Sequence, residues 1–268
     1  MSIDVKRLSV RFGGVVALDD VSVRVDPGRI VTVIGPNGSG KSTLFNSITG
    51  LVPVTEGTVH IDSEDVTAVS AHRRIAQGLA RTFQTPRFDP RVSVEEAVLC
   101  GFFPVSSAGI VASMFRPPAV GAQERAFERE GTAILADFGL EDLRHAALGE
   151  LPMGLVRLVE VARAVANRPR YLLLDEPAAG LTRAEQMLLA SEIRRVARSG
   201  VGVLLVEHNF GMVRELSDHA VVLDRGRLLA EGHPDDLMRD AAFVSTYLGS
   251  SHARHAATMN EESTHGAQ

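Results

Sequence analysis

Residues 22–34, SVRVDPGRIVTVI, place apolar side chains at alternate positions on both sides of Asp26-Pro27-Gly28. Alternation of this kind predicts two strands, and the Pro-Gly pair predicts the tight turn between them. Val31 to Ile34 is short, apolar and β-branched, as a strand buried on both faces should be. A glycine-rich loop follows, and STLFNSITGLV then reads as a helix. Strand-like residues return around 57–61. Ser93-Val94-Glu95-Glu96 has the S-x-x-E form of a capping box and predicts a helix start. Residues 101–146 are mostly helical in pattern, with a charge run at Glu124, Arg125, Glu128, Arg129 and Glu130 that suits a solvated face. A further helix is predicted from 153, then a buried strand in YLLLDEP. Thr182 and Glu185 form a second capping box, opening a helix to about 198. VGVLLVEH is another buried strand, and AVVLDRGRLLAEG is a hairpin turning at Asp224-Arg225-Gly226. Strands alternating with helices predict an α/β fold with a largely parallel sheet. Residues 251–268 are polar and aperiodic, so a disordered tail is expected there, with histidines too few for a metal site.

Composition narrows the class. The chain has 268 residues, 45% apolar and 23% charged, enough for one large domain with a small appended part. A net charge of −5 gives no global basic field to draw it to nucleic acid or anionic lipid. Cys100 is the single cysteine, so no internal disulfide is possible, and a small core residue is expected. MSIDVKRLSV lacks the pattern of a secretory leader, so none is expected. No apolar run approaches the ~20 residues that span a bilayer. The most apolar stretch, GFFPVSSAGIVASMF at 101–115, is too short and is broken by Pro104, but it suits a surface that meets a partner.

Lys6 and Lys41 are the only lysines, against 26 arginines. Lys41 lies in VTVIGPNGSGKST, a match to G-x-x-x-x-G-K-[ST] between a strand and a helix. Gly35, Gly38 and Gly40 allow successive backbone N–H groups to turn inward at phosphate oxygens. The helix beginning near Lys41 adds its positive end. Lys41 supplies a point charge to β- and γ-phosphates, and Ser42 offers a hydroxyl to Mg²⁺. A P-loop also needs a strand-end carboxylate to hold the metal through water, and Asp175 provides it. Glu176 directly after it has the chemistry of a general base for an attacking water. The strand ending in Glu207-His208 brings a histidine toward the same nucleotide. Gln84, in RTFQT, has the amide needed for Mg²⁺ or the attacking water. No N-K-x-D motif is present, which argues against a GTPase.

GPNGSGKST, FQT, LLLDEP and VEH, in that order, resemble the nucleotide-binding subunit of an ABC (ATP-binding cassette) transporter. The resemblance covers residues 3–249. RFGGVVALDDVSV, ARTFQ, EPAAGL, LLVEHNFGMV and LAEGHPDDLMRDAAFVSTYLG are closer still to the larger ATPase subunit of branched-chain amino acid importers. Relatives moving urea or short amides share most of this, so the solute stays open. The resemblance implies a P-loop ABC cassette with a mostly parallel core, an N-terminal antiparallel β region and a helical subdomain at about 90–165, within an ATPase domain of 1–250. It implies that Gly35, Pro36, Asn37, Gly38, Ser39, Gly40, Lys41, Ser42 and Thr43 cradle ATP, with Phe12 stacked on adenine and Ala17 beside it. Ser42 and Gln84 would meet Mg²⁺, with Asp175 ordering it through water. Glu176 would be the catalytic base, Gln84 would help place the water, and His208 would steady the γ-phosphate and the water. The implied partners are a second ABC ATPase subunit in a head-to-tail pair, two membrane permeases and, indirectly, a solute-binding protein, at the cytoplasmic side of the membrane. Residues 85–120 would meet the permease, with Phe88, Phe102 and Phe103 packing there.

The family's signature loop, LSGGQ or LSYGQ, falls here on Leu151-Pro152-Met153-Gly154-Leu155. Pro152 stands where the family has the serine that contacts the partner's γ-phosphate, and Leu155 replaces glutamine. Pro152 is expected in the first turn of the helix, where its missing N–H costs nothing. Two readings remain: backbone and helix dipole suffice, or the site capped by this loop hydrolyses more slowly. A translation ATPase would carry two cassettes, and a DNA-repair ATPase a coiled coil between Gln84 and Leu151, where only 66 residues lie.

Overall fold

A computed structural model describes residues 1–82, 88–105, 118–240 and 243–244. Strands β1 (Ile3–Phe12) and β2 (Val15–Val25) form a long hairpin, and β3 (Ile30–Ile34) follows the Asp26-Pro27-Gly28 turn. Helix α1 (Lys41–Ile48) leads to β4 (Glu56–Ile61), the short β5 (Glu64–Asp65), α2 (Ala71–Ala76) and β6 (Leu79–Arg81). Helices α3 (Val94–Leu99), α4 (Pro118–Asp137) and α5 (Met153–Ala166) fill the stretch before β7 (Tyr171–Asp175). The chain ends in α6 (Arg183–Arg198), β8 (Gly202–Val206), α7 (Phe210–Leu216), β9 (His219–Asp224), β10 (Arg227–Gly232) and α8 (Pro234–Leu237).

Two sheets result. The first, in the order β2-β1-β4-β5, is antiparallel. The second runs β10-β9-β3-β8-β7-β6, and all of it is parallel except the β10 edge. Every residue of β3, β7 and β8 is buried, because the strands have a core on each face. Leu172, Leu174, Val203 and Leu205 face the helices. Leu173, Leu204, Val206, Val31 and Val33 face α1 and the antiparallel sheet. Apolar runs without alternation are the mark of such strands.

The local chemistry of the ends is as the sequence predicts. Ser93 and Thr182 each accept from the backbone N–H three residues on, and Glu96 and Glu185 return the bond, so both capping boxes are complete. The β9–β10 turn has Arg225 at φ 46 and Gly226 at φ 80, the paired positive values of a hairpin turn that follows strand twist. Thr182→Ala is expected to cost about 1 kcal/mol. Thermal unfolding should then shift down by about 2–4 °C, and no shift would show that the cap is replaceable by water.

Two expectations need correction. Cys100 is exposed, at the junction where α3 ends and a 3₁₀ turn (Cys100–Val105) begins. Phe102 is only 1% exposed and stacks on Phe127 at 4.7 Å, so it belongs to the core and leaves Phe103, at 78% exposure, as the outward ring. The charge run is a solvated face as expected: Glu124, Arg125, Glu128 and Arg129 are exposed, and Glu130 pairs at the surface with Arg168. Gln84, much of the 85–120 surface and the tail at 251–268 lie outside the described residues.

Candidate active site

The strand order explains why distant motifs converge. β8 lies between β3 and β7, all three are parallel, and Val33, Val206 and Asp175 fall in one row across them. Gly35, Glu207-His208 and Glu176 therefore leave the sheet side by side at its carboxyl edge, where parallel α/β sheets bind ligands.

The glycine loop is held from outside by backbone. A Cβ on Gly40 would lie 2.8 Å from the carbonyl oxygen of Ala17, and one on Gly226 would lie 2.7 Å from the same oxygen. Gly226 also donates its N–H to the Ser39 carbonyl at 3.0 Å and accepts from Asp19 N–H at 2.8 Å. Ala17 is thus wedged between the loop and the β9–β10 turn, which places β2 and its hairpin tip beside the loop. At that tip Phe12 is 49% exposed, next to exposed Val15 and Val16. A flat ring left in water beside a phosphate loop suits stacking on a base.

Lys41 folds back over its own loop. Its Nζ donates to the carbonyls of Gly35 at 2.8 Å and Pro36 at 2.9 Å. Burial pulls its ammonium below the usual lysine range, opposed by the charges of Glu176 and Asp175. Ser39 Oγ is buried without a hydrogen-bond partner among the described residues, and Ser42 opens α1 with its side chain exposed.

Asp175 ends β7 and is buried. Burial raises its carboxyl above the ordinary range, and Arg81 pulls it back. The Arg81 guanidinium lies 3.3 Å from Asp175 and also donates to Asn46 at 2.7 Å and Thr49 at 3.1 Å on and after α1. Thr82 Oγ1 accepts from the Asp175 N–H at 3.3 Å. Glu176 Oε1 lies 2.7 Å from His208 Nε2, so the two strand-end residues meet directly. Glu176 itself has φ 49, its N–H donates to the Val206 carbonyl at 3.0 Å, and its carbonyl accepts from Arg157 at 2.7 Å. Glu207, beneath them, is 4% exposed, and burial raises its carboxyl. Its oxygens accept from the N–H groups of Ala178 at 3.1 Å and His208 at 3.2 Å, tying the loop after Glu176 to the histidine turn.

Leu151 to Gly154 lie at the start of α5. The helix begins at Met153 as the sequence predicts, so Pro152, with φ −53 and ψ 145, is its N-cap rather than a first-turn residue; a proline there has no side-chain acceptor to cap with. Met153 is 58% exposed. A Cβ on Gly154 would lie 2.9 Å from the Gly180 carbonyl oxygen, so glycine is needed where α5 meets the loop after Glu176.

The donor set fits magnesium. Mg²⁺ takes hard oxygen ligands, one or two from protein and the rest from phosphates and water. The Ser42 hydroxyl and the Asp175 carboxylate supply oxygen near the loop. Among the described residues no cluster of three or more His, Cys, Asp or Glu could cage an ion alone.

A phosphate loop, two consecutive strand-end acids and a histidine on the strand between them define a P-loop ATPase. A family model described as ABC transporter matches residues 18–179. The chain belongs to the ABC transporter family and is an ATP-binding subunit that hydrolyses ATP. It is 34% identical to the high-affinity branched-chain amino acid transport ATP-binding protein BraF of Pseudomonas aeruginosa, over 92% of this chain and 97% of that one. It is 31% identical to the lipopolysaccharide export system ATP-binding protein LptB of Escherichia coli, over 91% and 95% of the two chains. A solved ATP-binding cassette of an ABC transporter, in its ADP conformation, superposes with a TM-score of 0.79 at 32% identity, covering 93% of this chain and 99% of its own. The α/β fold expected from the sequence is borne out by these structures.

Proposed function

We propose that this chain is the larger ATP-hydrolysing subunit of an importer for branched-chain amino acids. The likeness to BraF along 92% of the chain supports the solute. The 31% identity to LptB, named for lipopolysaccharide export, keeps a different cargo as the second reading. The hydrogen bond between Glu176 and His208 beside the phosphate loop is the observation that supports the hydrolytic assignment.

In this reading residues 35–43 bind the phosphates through backbone N–H groups. Lys41 leaves the Gly35 and Pro36 carbonyls for the phosphate oxygens. Ser42, Gln84 and, through water, Asp175 would hold Mg²⁺, which when bound would supply neutralisation of phosphate charge. Glu176 accepts a proton from the attacking water, and His208 holds that carboxylate in place before the γ-phosphate arrives. Phe12 stacks on the adenine, with Ala17 behind it.

Partners follow the same reading: a second ATPase subunit head-to-tail, two permeases and, indirectly, a solute-binding protein, at the cytoplasmic face of the membrane. Among the described residues no helix is long and apolar enough to cross a membrane, so attachment through permeases is the route proposed. A cavity of about 300 Å³ opens between α1, α2, β6 and α5, lined by Thr49, Leu51, Ile75, Cys100, Gly101 and Arg163. It replaces Phe102 as the proposed seat of a permease helix, because its Arg81 wall leads straight to Asp175.

The Leu151–Gly154 loop would cap the partner's nucleotide with backbone and dipole alone. Restoring Pro152→Ser and Leu155→Gln in the assembled complex is expected to raise ATP turnover by about tenfold to a hundredfold, the range for gaining one hydrogen bond to a charged group. An unchanged rate would show that the backbone suffices. The solute is tested by uptake of labelled leucine into vesicles holding the complex, and uptake unaffected by ATP would overturn the assignment.

A further inference from the structure

Glu176 is held in a conformation that its sequence opposes. Its φ of 49 lies in the left-handed region, which costs a residue with a Cβ roughly 1–2 kcal/mol. Pro177 follows, and a residue before proline is pushed toward extended backbone. Pro177 also has no N–H, so the Glu176 carbonyl is the sole hydrogen-bonding group of the peptide joining them. That carbonyl accepts from Arg157 Nη1 at 2.7 Å and, at the longer distance of 3.2 Å, from the Ala179 N–H, so Arg157 is the shorter and the charged donor of the two. A bond from a guanidinium is about twice as strong as a neutral one.

Arg157 stands on α5, three residues after Gly154, on the helix whose start is the Leu151–Gly154 loop. Gly154 in turn packs so near the loop that leaves Glu176 that an added Cβ would lie 2.9 Å from the Gly180 carbonyl oxygen. Besides the local backbone bonds to Val206 and Ala179, the base is therefore gripped by two side chains. Its carboxylate meets His208 on β8, and its backbone is tied to α5 through Arg157.

We propose that Arg157 is a positioning residue that holds the backbone of Glu176 from the signature helix. Seating of Leu151–Gly154 on the partner's nucleotide then sets the aim of this chain's own base. The inference rests on the head-to-tail reading given above. Movement of α5 toward or away from the sheet loads or slackens the Arg157 bond, and the carboxylate above it follows. One composite site thereby reports to the other within a single chain.

The test uses the full chain assembled with its permeases and second ATPase subunit, the latter carrying a Gln in place of its own base. Nucleotide affinity, kcat and KM are measured for Arg157→Met, Arg157→Lys and Arg157→Gln. Arg157→Met is expected to lower kcat by about tenfold to a hundredfold, the scale of an ångström's misplacement, with KM and ATP affinity within about twofold of the parent. Lys keeps a charged donor and should recover part of kcat, whereas Gln should recover less. A kcat for Arg157→Met within twofold of the parent would overturn the proposal. So would equal kcat for Lys and Gln, which also decides the matter if the Met variant does not assemble. Glu176→Gln in the same complex separates the two readings. If it leaves hydrolysis intact, the base is misassigned; if it abolishes hydrolysis while Arg157→Met is silent, only the role of Arg157 fails.

Discussion

Glu176→Gln is expected to bind ATP as tightly as the unchanged chain and to hydrolyse it about 10²–10⁴-fold more slowly, the usual contribution of a positioned general base. Glutamine keeps the size of the side chain and an oxygen for His208, now 2.7 Å from the carboxylate. What it loses is the ability to take a proton. Neither the loop glycines nor the Lys41 contacts to Gly35 and Pro36 involve the Glu176 side chain, so binding should survive. Single-turnover hydrolysis of labelled ATP, beside an equilibrium binding curve, checks both halves. Wild-type hydrolysis would remove Glu176 from the mechanism. A loss of affinity with the loss of rate would make it a binding residue.

Arg74→Met is expected to be the most damaging change away from the nucleotide. Arg74 is 1% exposed, and burial pulls its pKa down. It donates to the carbonyls of Ser47 at 2.7 Å and Ile48 at 2.6 Å, at the end of α1, and to Thr67 at 3.0 Å and Val69 at 2.9 Å. A cation against the carbonyl end of a helix is favoured by the helix dipole. Methionine fills much of the volume and satisfies none of the four oxygens. Leaving several buried acceptors unpaired costs about 3 kcal/mol, or a fall in Tm of about 6–12 °C for a chain of this size. Because α1 begins at Lys41, weaker ATP binding should accompany the lower Tm. A shift under about 2 °C would mean that water takes the place of the guanidinium.

The fold was legible where one local rule operated alone. Unbroken apolar runs marked β3, β7 and β8 as doubly buried strands, and S-x-x-E and T-x-x-E marked the starts of α3 and α6. The site was legible as motifs because loop, acids and histidine each sit at the end of such a strand. Arg81, Glu207, Arg157 and Gly226 were not legible as site residues. Arg81 stood inside the quoted ARTFQ and Glu207 beside His208, yet their roles depend on partners 94 and 29 residues away in the chain. Arg157 is one arginine among 26, and only the approach of α5 to Glu176 distinguishes it. Cys100 and Phe102 were misread for a related reason. Whether an apolar residue in a 3₁₀ turn faces in or out depends on which helix covers it, and periodicity does not carry that.

The position of β3 has a consequence for how the chain is made. The strand that carries the phosphate loop leaves the ribosome early, but its two neighbours in the sheet are β8 and β9, at residues 202–206 and 219–224. Until those emerge, β3 has two open edges and an uncovered apolar length, the condition that invites pairing with another chain. The Gly226 turn that braces the loop comes later still. A nascent or prematurely terminated chain that stops before about residue 226 therefore holds every element of the phosphate loop in sequence but lacks the Gly226 brace on its far side. The fully braced phosphate loop thus belongs only to chains whose synthesis has passed the β9–β10 turn.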